Sequence, residues 1–94
     1  MDRKTYLNTL GSELQELSFR IDTLRHRMPT ESGHERVHDA GELVVLERRR
    51  QALADHIAQA RTMKDSFWGR LKAELEVDWA ELRDAVYRFH VPQR

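Results

Sequence analysis

The chain has no cysteine among its 94 residues, only two prolines and four glycines, and no excess of either charge. Without cysteine there is no disulfide framework, no thiolate zinc ribbon and no thiol nucleophile. Sixteen basic and sixteen acidic side chains cancel to a formal net charge of zero, so the basic excess of a dedicated nucleic-acid binder is missing. The balance also holds locally. Residues 1–29 carry five basic and four acidic side chains, 30–63 carry five and six, and 64–94 carry six and six. No segment is a polyelectrolyte tail, and long-range steering of a charged partner is not built in. Long apolar runs are missing as well. The longest, Leu43-Val44-Val45-Leu46, is far short of the roughly 20 residues that a bilayer demands. The first residues show no apolar h-region and no cleavage signature, so the cytoplasm is the expected location. Thirteen of the sixteen basic residues are Arg, a bias associated with GC-rich bacterial genomes.

What is present is helical periodicity. Leu7, Leu10, Leu14, Leu17, Ile21, Leu24 and Met28 follow one another in alternating steps of three and four, the signature of a heptad seam. Asp2 is placed to cap this helix, and Pro29 ends it, because a residue before proline is pushed out of the α region. Gly11, inside the helix, costs about 1 kcal/mol against alanine and is expected to mark a close backbone approach. Pro29-Thr30-Glu31-Ser32-Gly33 is the one cluster of turn residues. Ser32 and Glu35 have capping-box spacing, so a second helix starts near Gly33 or His34. Its apolar positions are Leu43, Leu46, Leu53, Ile57 and Ala60, with Arg50 in the seam between Leu46 and Leu53. A charged seam residue either fixes register or snorkels to the seam's edge.

No glycine or proline interrupts Glu42 to Trp68, yet the hydrophobic stripe slips register near residues 62–66. Thr62 and Asp65 have capping-box-like spacing there. The alternatives are a turn or one long helix with a stutter, and the turn is favoured. Beyond it Trp68, Leu71, Leu75, Trp79, Leu82, Val86 and Phe89 form a third stripe. Trp68-x-x-Leu71-x-x-x-Leu75 returns eleven residues later as Trp79-x-x-Leu82-x-x-x-Val86, a period that keeps an apolar face nearly straight along a helix.

Three features invite a chemical reading. His34-Glu35-Arg36-Val37-His38 matches the H-E-x-x-H string of zinc peptidases, where i and i+4 histidines bind metal and the glutamate activates water. The third ligand of the longer motif falls on Val44, however, and Arg36 repels a dication. Such a string arises by chance in on the order of a few per cent of shuffled chains of this composition. Catalysis is therefore not expected, and His34 and His38 are candidates only for adventitious metal capture. No cofactor is expected. Arg48-Arg49-Arg50 suggests a phosphate site, but consecutive helical residues fan out, and Glu42 and Glu47 are placed to pair with them. A solvated face is the expected outcome. The stripe Trp68, Leu71, Leu75, Trp79, Leu82, Val86 and Phe89 reads as bundle core, as an oligomer interface or as a face for a lipid or granule surface. The block 65–89 holds four basic and six acidic residues, so attraction to anionic lipid is absent.

Tyr6, Leu10, Leu14, Leu17, Ile21-Asp22 and Leu24, with Trp68, Leu71-Lys72, Trp79, Leu82, Ala85 and Phe89, resemble a group of small bacterial coiled-coil-domain proteins of unknown function. That group is likened to exchangeable apolipoproteins and to phasin-type granule-coating proteins. The resemblance implies an all-helical, non-enzymatic protein and brings no catalytic residue. It covers the two ends of the chain; Pro29 to Gly33 departs from it, and His34 to Gly41 has no counterpart.

The expectation is one all-α domain over residues 1–94, a three-helix antiparallel bundle with coiled-coil packing and helices near 3–28, 34–61 and 65–90. Its thin core favours association, and a homodimer is the expected state. Its function is expected to be structural or through protein–protein contacts, with no nucleic acid. The alternative is attachment to lipid or granule surfaces through the Trp-bearing third helix.

Overall fold

The computed structural model describes residues 2–27 and 33–89, without the side chains of residues 34–36. Three helices follow in order, α1 (Arg3–Arg27), α2 (Gly33–Ala60) and α3 (Asp65–Arg88), and there is no strand among the described residues. They pack as an all-α three-helix bundle, a rod of 50 × 18 × 17 Å.

The seams read from the sequence are the core. α1 buries Leu7, Leu10, Leu14, Leu17, Ile21 and Leu24; α2 buries Leu43, Leu46, Leu53, Ile57 and Ala60; α3 buries Leu71, Leu75, Leu82 and Val86. Steps of three and four return each seam to one side of its helix, which is why these residues meet. The seam of α2 reaches one step further back, to the buried Asp39, four residues before Leu43. Arg50 is half-buried at its seam position, and its guanidinium donates at the surface to Gln51 Oε1 at 3.2 Å. It lies along the edge of the seam, as a long cationic side chain does when its stem is apolar.

Polar cross-links give the helix directions. Arg61 donates to Asn8 at 3.0 Å and Arg25 pairs with Glu47, so α1 and α2 are antiparallel. His56 and Asp78 approach to 3.5 Å, while Val45 and Leu46 lie across from Ala85 and Phe89, which makes α2 and α3 antiparallel too. α1 and α3 run the same way and approach each other closely at fewer places than either approaches α2. Their seam is spanned by large side chains. The Tyr6 and Trp68 rings meet edge-on at 5.7 Å, and Arg20 lies 4.3 Å over Tyr87.

Helix ends are satisfied in three ways. Asp2 caps α1, its Oδ1 accepting from the Thr5 amide at 2.7 Å. That bond favours the ionised form and holds the Asp2 carboxyl below its ordinary 3.8. α3 ends at Phe89, whose amide donates to the Ala85 and Val86 carbonyls. At the end of α2 no basic residue lies in the last turn, and the cation comes from α1. Arg3 donates to the carbonyls of Ala60 and Met63 and pairs with Asp65, closing the α2–α3 turn from outside.

That turn, residues 61–64, is a real break between helices. The Thr62–Asp65 capping box is not what makes it. Thr62 lies in the turn itself and looks back to α2, its hydroxyl donating to the Gln59 carbonyl at 3.4 Å. The N-cap of α3 is Lys64, which offers no side-chain acceptor. Gly11 also departs from expectation. A Cβ built there meets nothing within 4 Å, so no backbone approaches it. The capping pair Ser32–Glu35 and the positions Met28 and Pro29 lie outside what is described.

Candidate interaction surface

The aromatic stripe of α3 is used first inside the chain. Leu71, Leu75, Leu82 and Val86 are buried, while Trp68, Trp79 and Phe89 are partly buried against the same core. Near the turn, Trp68 is held between Tyr6 and Arg3, whose guanidinium lies 5.2 Å from its ring. Lys72 sits 5.0 Å over Tyr6. Burial raises the Tyr6 phenol above its ordinary 10.0, and the neighbouring Glu76 carboxylate, charged and accepting from the hydroxyl, raises it further, with Glu13 adding to the effect. Such stacking and cation–ring contacts have a structural use of about 0.5–1 kcal/mol each at exposed sites.

Three recesses are formed by described residues. One, about 510 Å³, lies between α2 and the end of α3 and is lined by Glu42, Val45, Leu46, Arg49, Ala85, Arg88 and Phe89. Its floor is apolar and its rim carries one acid and two bases. Val37, Val44 and Val45 are exposed on the same half of α2, Val45 by 46%. β-branched residues gain nothing on a solvated helix surface, so this run is the most conspicuous apolar surface of α2. A second recess, about 170 Å³ between α1 and α3, is lined by Trp79 and Tyr87 among Glu13, Glu16, Arg20 and Arg83. A third, about 330 Å³ beside the α2–α3 turn, is formed by Met63, Phe67 and Leu71 with Arg70 and Glu74.

The H-E-x-x-H string lies on the first turns of α2. His38 Nε2 is 3.4 Å from Glu42 Oε1, one helical turn on, with both side chains solvated. The side chains of His34 and Glu35 lie outside what is described. Among the described residues no three His, Cys, Asp or Glu side chains are grouped to hold a metal. The arginine run fans out as helix geometry requires, with Arg48 and Arg49 exposed and Arg50 half-buried. Its expected acidic partners are engaged elsewhere: Glu47 pairs with Arg25 of α1 and Glu42 with His38. Arg48 and Arg49 form no ion pair with any described residue.

Sequence reasoning missed three features of this surface. Arg3 as a cap for α2 is 57 residues away from the carbonyl of Ala60 and leaves no local signal. The groove beside Phe89 exists only because α3 passes α2 there. Buried Asp39 did have a signal, the backward extension of the α2 seam. No helix among the described residues is long and apolar enough to cross a membrane. Comparison of the chain with protein-family models, with curated proteins and with solved structures gives no match.

Proposed function

We propose that this chain is a non-enzymatic structural or protein–protein interaction protein of the bacterial cytoplasm, acting through its helix faces and self-associating as a homodimer. The observation that carries the reading is the open groove between α2 and α3, where Val45, Leu46, Ala85 and Phe89 form an apolar floor inside a charged rim. An apolar floor with a polar rim is the usual anatomy of a helix-docking surface. The rod shape adds to this, since a bundle only 18 × 17 Å across has a thin core and gains stability from further burial. Light scattering over a wide dilution series tests the reading. A mass twice 11.2 kDa at high concentration, falling on dilution, is the expected result, and a mass that stays at that of one chain throughout sinks self-association.

One observation favours a second reading, attachment to a lipid or granule surface. Phe67 is 57% exposed beside Met63 and Leu71 at the α2–α3 turn, an apolar tip next to Trp68. On this reading Trp fluorescence shifts during a vesicle titration and Phe67→Ser removes the shift, whereas a flat titration disposes of it.

A further inference from the structure

We infer that the partner seated in the α2/α3 groove is a second copy of this chain, with the two α2 helices antiparallel about a twofold axis beside Val45 and Leu46. The inference rests on the self-association proposed above and specifies its face and geometry. The α2 side of the groove consists of Glu42, Val45, Leu46 and Arg49. Those four positions are symmetric about the midpoint between Val45 and Leu46. Glu42 and Arg49 lie on either side of it, each about 5 Å along the axis at 1.5 Å per residue.

That symmetry decides orientation. In an antiparallel pair, Glu42 of each copy faces Arg49 of the other, and Val45 faces Leu46. A parallel pair would set Glu42 against Glu42 and Arg49 against Arg49, and like charges across an interface are strongly selected against. Arg88, on the α3 wall of the same groove, adds a second base for the incoming acid. Its guanidinium is held by the Asp84 carbonyl at 3.3 Å, which leaves its remaining donors available. Arg49 forms no ion pair with any described residue, and Glu42 has only the solvated His38. Both rim charges are thus open to a partner.

The apolar content agrees. Val45 stands nearly half exposed, one helical turn after Gly41, where a Cβ would meet nothing within 4 Å. Small and β-branched residues let two helices approach to the 8–10 Å separation of packed pairs. Because each copy contributes both the inserting helix and the groove, the contact is isologous and closes at two chains. α2 and α3 of each copy then form a four-helix layer with α1 outside.

The absence of cysteine makes the test clean, because any single introduced thiol is the only one in the chain. Under mild oxidation at a concentration where light scattering reports the doubled mass, Val45→Cys, next to the axis, is expected to form a disulfide-linked dimer. Val77→Cys, on an exposed position of α3, is expected to do so at least about tenfold more slowly, because equivalent residues far from a twofold axis do not meet. Glu42→Arg and Arg49→Glu each weaken the dimer by about tenfold, since the axis makes every reversal count twice. The double variant E42R/R49E restores most of the affinity. A mass of one chain at every concentration removes self-association and this inference together. A doubled mass with no preference for Val45→Cys, or with no rescue in the double variant, leaves self-association standing and overturns this face. A limiting mass other than two chains also overturns it.

Discussion

At the scale of single residues, the helices carry glycines that the bundle tolerates. Gly11 and Gly69 lie inside α1 and α3, with space around each Cβ position and no positive φ at either. Neither turn geometry nor close packing requires them. Gly11→Ala and Gly69→Ala are each expected to raise unfolding free energy by about 0.5–1 kcal/mol, through lower chain entropy in the unfolded state. Urea denaturation checks this, and a loss of stability at either site would reveal a contact that the helix surfaces do not display. Tyr6 is the residue whose ionisation is tied to packing. Its phenol is raised above 10.0 by burial and by Glu76, so the folded state favours the neutral form. The stability this contributes is complete below pH 10.0 and is lost as pH rises through the folded value. Wild type should therefore lose stability in alkali more steeply than Tyr6→Phe, and parallel pH profiles would refute the coupling.

At the scale of elements, the α2–α3 turn shows how one helix repairs another. The last carbonyls of an α-helix have no partner within it and carry the negative end of its dipole. α2 has no base of its own there, and the sequence of α3 opens without a capping side chain at Lys64. Arg3 reaches across from α1 to the Ala60 and Met63 carbonyls and to Asp65, with its own side chain only 19% exposed. A charged donor on nearly buried carbonyls contributes about 1.5–3 kcal/mol. Arg3→Ala is expected to cost about 1–3 kcal/mol, and Arg3→Lys to recover only part of it, because an ammonium lacks the planar fork that reaches several acceptors. Thermal melts of the three proteins test this, and full recovery by lysine would reduce the clamp to simple charge. The same element contains the exposed partner of the pair, Asp65, which is fully solvated and adds little by itself.

At the scale of the whole molecule, the three seams make one core that no helix closes alone. Leu75, near the middle of α3, is fully buried and Leu82, two turns on, nearly so, both within the one core cluster. Leu75→Ala is expected to destabilise by about 2–5 kcal/mol. With a single core the loss is shared, so helicity by circular dichroism and Trp fluorescence should melt together in both proteins. Separate transitions would mean that α3 detaches as a unit of its own. The groove beside Phe89 is also a property of the whole, since its walls come from two helices more than thirty residues apart in sequence.

Periodicity determined the helices and their seams, because a repeat of three and four residues is a local geometric fact that any helix must express on one side. Near residues 62–66 it favoured a turn over a stutter without deciding between them, and the structure has the turn. Periodicity reached the α3 stripe and its tryptophans in the same way, and it placed Arg50 in the seam, where the structure takes the edge position of the two that were open. Only the tertiary structure decided which charges meet, because ion pairs such as Arg25 with Glu47 and caps such as Arg3 on α2 join residues whose spacing in sequence carries no signal. Tertiary packing likewise decided that Gly11 faces open space and that Val45 and Phe89 share a groove. Each depends on how far apart two neighbouring helices stand, a distance set by the side chains of both.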